Sequence, residues 1–137
     1  MSERRWAFTH RLSVRFSDCD LLGHVNHAIY FTYFEQCRFE WWRRLGGTTG
    51  MPGVGAIIVH AACNFRAPAF ASEELDIRLG VGSIGTSSIT LDYEILNVAS
   101  GALIADGRTV IVAYDYEARR SMPLPDETRA RLLETQP

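Results

Sequence analysis

The segment Asp18-Cys19-Asp20-Leu21-Leu22-Gly23-His24-Val25-Asn26-His27-Ala28-Ile29-Tyr30 gathers two carboxylates, two imidazoles and a thiol into one short stretch. Residues 11–17 before it alternate, with Leu12, Val14 and Phe16 apolar and Arg11, Ser13, Arg15 and Ser17 polar, the mark of a half-buried strand. Carried forward, that period puts Asp18 and Asp20 on the buried side, where a carboxylate is costly unless paired or employed. Asn26 is a good N-cap, and a helix start presents backbone N–H groups with no intrahelical partner. With the positive end of the helix dipole they suit an oxyanion. A carboxylate, free donors and a turn at Gly23 together suggest acyl transfer or hydrolysis.

Other chemistries fit less well. His24 and His27 beside two aspartates raise a metal site, but helical zinc ligands are usually spaced i, i+4 and no third soft ligand is anchored. No metal is therefore expected. Cys19 beside a histidine raises a thiol nucleophile, yet its parity points away from the aspartates. Cys37 and Cys63 fall on apolar faces and read as core. Asp18 reads as bonding the loop backbone, and Asp20 on its own would read as a turn residue.

The elements that hold this segment are legible from periodicity. From Asn26, the residues Tyr30, Phe34, Cys37, Trp41 and Leu45 form a helical stripe about 80° wide. Phe31, Phe39 and Trp42 widen it and leave a narrow polar side at Gln36, Glu40 and Arg43, so a sheet or a second subunit should enclose this helix. Gly46-Gly47 stops it. Strands follow at 55–66, 75–81, 88–96 and about 102–114. In the first of these Ile57, Val59, Ala61, Cys63 and Phe65 share an apolar face. Short connections favour antiparallel pairing into a four-stranded meander. The tail after Met122-Pro123-Leu124-Pro125 predicts a short polar helix at most. The order β-α-β-β-β-β defines an α+β class, with a five-stranded antiparallel sheet wrapped around one long central helix. A cone-shaped fold of the ketosteroid isomerase kind competes, but it usually places more than one helix before its sheet.

Length and charge set the outer bounds. One domain spanning 1–137 is expected at this size, with a core that needs no metal or disulfide. Fourteen Lys+Arg, all arginine, against sixteen Asp+Glu leave a net charge of −2, without the basic footprint of nucleic-acid binding. Three widely spaced cysteines make no disulfide framework. The first residues, MSERRWAFTH, lack the apolar stretch of a signal peptide, and no window is long and apolar enough to span a membrane. A cytoplasmic protein with no membrane partner is expected.

The loop Asp18–Tyr30 also resembles the active-site motif of the hotdog-fold acyl-CoA thioesterases of the 4-hydroxybenzoyl-CoA thioesterase family, D-x-D-x-x-G-H-V-N-x-x-x-Y. Asp18, Asp20, Gly23, His24, Val25, Asn26 and Tyr30 match it, and the likeness continues through the aromatic helix and Phe65-Arg66-Ala67-Pro68. The resemblance implies a hotdog fold and hydrolysis of an acyl-CoA thioester. It implies Asp20 as nucleophile or general base, and the backbone N–H at His27 polarising the thioester carbonyl. Gly23, His24, Val25, Asn26, Tyr30 and Arg66 become candidate substrate contacts; Arg119 and Arg120 join Arg66 as candidates for the coenzyme A phosphates. It implies no cofactor, coenzyme A being part of the substrate, and a homodimer or homotetramer. Two departures stand out. His27 occupies a position where many members have Asn, and Phe16 leaves no hydroxyl where some relatives have Tyr. The competing functions are a hotdog hydratase or dehydratase and a non-catalytic acyl-CoA-binding module.

Overall fold

The computed structural model describes residues 6–46, 51 and 54–136. Residues 1–5 and Gly47 of the sequence reading lie outside them. The elements run β1 (Phe8–Ser13), α1 (Ile29–Arg44), β2 (Ala56–Phe65), β3 (Glu74–Ile84), β4 (Ser88–Asn97), β5 (Leu103–Asp115), β6 (Arg120–Ser121) and α2 (Asp126–Glu134). The expected order is present, with a two-residue strand and a terminal helix added. α2 is mostly polar, as expected, yet it anchors itself through buried Thr128 and Leu132.

All pairings are antiparallel, in the order β1-β3-β4-β5-β2, with β6 beside β5. The expected four-stranded meander is corrected: of its four strands, β2 to β5, only β3, β4 and β5 are sequential neighbours. β2 follows α1 in the chain and joins the far edge beside β5, at the opposite end of the order from β1. The resulting sheet curls around α1. Alternate residues of β3 and β4 (Leu75, Ile77, Leu79, Val81; Ile89, Leu91, Tyr93, Ile95) are fully buried against the helix. The α1 stripe Tyr30, Phe34, Cys37 and Trp41 is buried too, while Phe31 and Phe39 on its flanks stay partly exposed.

Gly107 of β5 fixes how closely helix and sheet approach. A Cβ there would sit 2.5 Å from the Phe34 ring and 2.6 Å from the Ala62 carbonyl. Its absence lets Phe34 lie flat on Tyr93, with ring centroids 4.4 Å apart. Beside this stack, Arg38 is buried on α1, donating to the Tyr93 hydroxyl at 3.3 Å, which in turn pairs with Thr109 at 2.8 Å. The helical pattern gave no sign that this arginine turns inward.

Two element boundaries differ from expectation where the site begins. The first strand ends at Ser13, and Phe16–Asp18 form a single 3-10 turn. Phe16, expected in the core, is 89% exposed. The strand period therefore stops short of Asp18 and Asp20; Asp18 is buried as expected, through the 3-10 turn, while Asp20 is only partly buried. The central helix starts at Ile29, with Ala28 at its N-cap, rather than at Asn26. β2 also departs: Ile57, Ile58, Val59 and Phe65 are exposed, because a bulge between Ile58 and His60 and an edge position take its apolar residues off the core.

Candidate active site

Between the 3-10 turn and α1 the chain makes a compact loop held by its own backbone. The Asp20 N–H donates to the His24 carbonyl at 2.9 Å, and the Gly23 N–H closes the turn on the Asp20 carbonyl at 3.0 Å. Gly23 has φ of +90°, the left-handed conformation that L side chains rarely adopt, which is why the turn needs glycine there. The loop is then sewn down from both sides: Val25 N–H donates to Ala69 and Asn26 N–H to Asp18, each at 2.9 Å.

Asp18 anchors the loop from below. Its carboxylate is 2% exposed and accepts from the Arg15 guanidinium at 2.9 and 3.2 Å, the Arg15 N–H at 3.0 Å and the Tyr33 hydroxyl at 2.8 Å. Burial alone would raise this carboxyl's pKa; the hydrogen bonds from Arg15 and Tyr33 outweigh it and hold it below the ordinary value. Tyr33, raised by burial and by the Asp18 hydrogen bond, stays a neutral donor.

Asp20 is held differently. Its Oδ1 accepts the Leu22 N–H at 2.9 Å, a local turn that fixes the side chain. Its Oδ2 points away from that bond, 3.7 Å from the His24 ring. Asn26 caps a turn rather than the helix: its Oδ1 takes the Ala28 N–H at 3.0 Å and its carbonyl takes the Ile29 N–H at 2.9 Å. That occupies two donors at the helix entrance, and the His27 N–H has no hydrogen-bond partner among the described residues. The His27 ring stands edge-on to Phe65, with centroids 6.3 Å apart, and Tyr30 packs on Phe65 at 5.4 Å. Tyr30 is buried, and that burial raises its hydroxyl pKa.

Asp20, His24, Val25, His27, Tyr30 and Arg66 line one cleft of about 370 Å³. The structure thus brings together six of the residues that the sequence reading placed in the site, drawn from the loop, α1 and the end of β2. Gly23 and Asn26 do not line it; they face a neighbouring cleft that Asp20 shares. Arg119, in the β5–β6 turn, and Arg120, which opens β6, do not line it either. The cleft adds Phe65, Ala67 and Pro68, none of them a candidate contact from the sequence. Arg66 reaches the rim already paired: its Nε donates to Asp106 at 2.9 Å, and Asn64 donates to the same carboxylate at 2.8 Å. A larger concavity, about 560 Å³, lies on the sheet between β2, β4 and β5, where Arg108 pairs with Asp92 at 2.7 Å and Asp106 is committed to Arg66. Among the described residues no group of three His, Cys, Asp or Glu is placed to hold a metal.

An antiparallel sheet wrapped around one helix, with an acidic loop at the helix entrance, is the hotdog architecture. Residues 14–132 match the model of the thioesterase-like superfamily, and the chain belongs to that superfamily. It is 32% identical over 123 residues to a 1,4-dihydroxy-2-naphthoyl-CoA hydrolase of Synechococcus, covering 83% of this chain and 81% of that protein. It is 25% identical over 124 residues to the long-chain acyl-CoA thioesterase FadM of Escherichia coli, covering 89% and 94%. Among solved structures it is similar to a thioesterase from Thermus thermophilus, complexed with coenzyme A and zinc. The TM-score is 0.86 and the identity 25%, over 96% of both chains. The enzyme class that the loop suggested, thioesterase, is the class of these relatives, and no described helix is long and apolar enough to cross a membrane.

Proposed function

We propose that the chain hydrolyses an acyl-CoA thioester to the free acid and coenzyme A, with Asp20 as nucleophile or general base. The observation that carries this is the pairing, in one cleft, of a carboxylate oxygen left open beside His24 with a backbone N–H left open at His27. The carbonyl oxygen of the thioester lies on the His27 N–H, which takes the charge that develops as the carbon becomes tetrahedral; one such donor contributes on the order of 3 kcal/mol. As a base, Asp20 Oδ2 takes a proton from water while the water oxygen bonds to the carbonyl carbon. Collapse breaks the C–S bond and the proton goes to the departing thiolate. As a nucleophile, Oδ2 bonds to the carbon first and the C–S bond breaks to release the coenzyme A thiolate; water then cleaves the resulting anhydride, which frees the acid and the Asp20 carboxylate, and the proton released goes to the thiolate. Either route is metal-free and cofactor-free. The His27 ring, held on Phe65, and the His24 ring beside Oδ2 orient the thioester; Tyr30 closes the floor, and Arg66, aimed by Asp106, meets phosphate. Within the superfamily, the loop motif supports the 4-hydroxybenzoyl-CoA thioesterase type.

We propose further that the chain works as a homo-oligomer, dimer or tetramer. Ile57, Ile58, Val59 and Phe65 of the β2 edge are each at least 40% exposed, a row of apolar side chains on an open strand. Light scattering at micromolar concentration should give a mass above the 15.4 kDa of one chain; a monomer refutes it.

The test of the catalytic reading is thiol release from a panel of aliphatic and aromatic acyl-CoAs, wild type against Asp20→Asn, with circular dichroism as folding control. Release that collapses in a folded Asp20→Asn supports it. Release that survives removes Asp20 from the mechanism, and acyl-CoA binding without release makes the chain a binding module. In single-turnover hydrolysis in ¹⁸O water, label found in Asp20 establishes the nucleophilic route, with water attacking the Asp20 carboxyl carbon of the anhydride.

A further inference from the structure

Part of the cleft wall is a strap, residues 66–71, that leaves β2 and runs beside the Asp20 loop; its Arg66, Ala67 and Pro68 line the cleft. The Ala69 carbonyl accepts the Val25 N–H at 2.9 Å, and Phe70 forms an antiparallel bridge with His24. The loop that bears Asp20 and the open His27 N–H therefore takes its position from the strap. What holds the strap is Glu73, which lines neither cleft beside Asp20. Residues 70–73 turn into β3, closed by the Glu73 N–H on the Phe70 carbonyl at 3.1 Å. The Glu73 side chain folds back over this turn. Its Oε1 accepts the Phe70 N–H at 2.6 Å and its Oε2 accepts from Asn97 Nδ2 at 2.7 Å. Asn97, at the end of β4, is 7% exposed, and its Oδ1 takes the Ala99 and Ser100 N–H groups at 3.0 and 3.1 Å. Ser72, inside the turn, has φ of +72°, a conformation that a side chain keeps only where its surroundings impose it. Its N–H donates to the Val14 carbonyl and the Val14 N–H to the Glu73 carbonyl, each at 2.9 Å. The turn is thus clamped from the ends of β1 and β4.

We infer that Glu73 is a positioning residue for the reaction: its carboxylate ties the strap to the end of β4 and, through the strap, holds Asp20 and the His27 N–H in register. The inference rests on the thioesterase reading for the work of those two groups; the tie itself can be tested without turnover. A carboxylate is required at this place. Two donors, the Phe70 N–H and Asn97 Nδ2, converge on it, whereas a glutamine offers one acceptor oxygen and, in place of the other, a donor NH₂. Asn97 cannot turn its amide to compensate, because its oxygen is committed to two N–H groups. Moving the charge across the pair restores the match. In Glu73→Gln/Asn97→Asp the glutamine oxygen takes the Phe70 N–H and its NH₂ donates to the new carboxylate. The other oxygen of that carboxylate keeps the Ala99 and Ser100 N–H groups.

The test is the full cycle of wild type, Glu73→Gln, Asn97→Asp and the double variant, read in two ways on the folded proteins. Amide hydrogen exchange at Val25 and Asn26 reports the loop without turnover. Each single variant should speed it about tenfold or more, and the double variant should return it to within about threefold of wild type. Initial rates on an acyl-CoA that wild type cleaves report the register. Each single variant should lose about 10- to 100-fold in kcat with KM within about threefold, and the double variant should recover most of the loss. A residue that merely stabilises the fold would lower the urea midpoint and leave kcat and the Val25 and Asn26 amides unchanged; that outcome overturns the inference. So do single-variant losses that the double variant does not repair. If Glu73→Gln does not fold, Asn97→Asp breaks the same bond from the other side and carries the comparison. If wild type releases no thiol from any acyl-CoA, the catalytic reading falls, and the exchange rates alone still decide whether Glu73 holds the loop.

Discussion

Replacing Asp18 by Asn tests whether this carboxylate holds the site together. The side chain is 2% exposed and accepts four hydrogen bonds, three from Arg15 and one from Tyr33. Breaking a buried charged pair costs about 3–5 kcal/mol, because the remaining partner is stranded. Here the Arg15 side chain is 65% exposed and can return to water, so only the Tyr33 hydroxyl and the Arg15 N–H lose a buried acceptor. A loss of about 2–4 kcal/mol follows. Urea unfolding at pH 7 measures it. The pH dependence is a sharper readout. Folding lowers the Asp18 pKa, so its stabilisation is fully present above the ordinary carboxylate value and is lost as pH falls through the lowered folded value. Wild type should therefore weaken below about pH 4 more steeply than Asp18→Asn. In the variant the backbone carbonyl at position 18, which accepts the Asn26 N–H, is no longer held in place by its side chain. That loosens the loop bearing Asp20, so thiol release should fall with it. A variant within about 0.5 kcal/mol of wild type, with the same acid limb, would refute the reasoning.

Three other outcomes are expected. Gly107→Ala must push the Phe34 ring and the Ala62 carbonyl apart, and overpacking of this kind costs about 1–3 kcal/mol in a thermal or urea melt. Arg66→Ala should raise KM for acyl-CoA severalfold with kcat nearly unchanged, because a phosphate contact binds ground and transition states alike; an equal fall in kcat would contradict that role. The Cys37 thiol, fully buried and pushed up to about 12 by that burial, should resist thiol reagents at pH 8 in the folded chain and react only in denaturant.

The sequence by itself determined the elements whose periodicity reflects full burial. The stripe Tyr30, Phe34, Cys37 and Trp41 and the alternation of β3 and β4 are read directly, because those side chains have one apolar environment to satisfy. It also identified the loop, since Gly23 and the helix entrance impose local chemistry that needs no distant partner. What it could not decide is anything set by residues far apart in the chain. β2 reads as a strand with one apolar face, yet pairing with β5 puts it on an edge with Ile57 to Val59 in solvent. Asn26 reads as an N-cap, but the bonds that fix the loop to Asp18 and Ala69 move the helix start to Ile29. The helical pattern does not assign Arg38, and Tyr93, far along the chain, gives it a buried acceptor. Above all, the sequence placed Asp20 in a motif; only the fold placed it where two clefts meet. Local propensity and spacing are properties of a few neighbouring residues, whereas the shape and polarity of a cleft belong to side chains that meet only when the sheet closes on the helix.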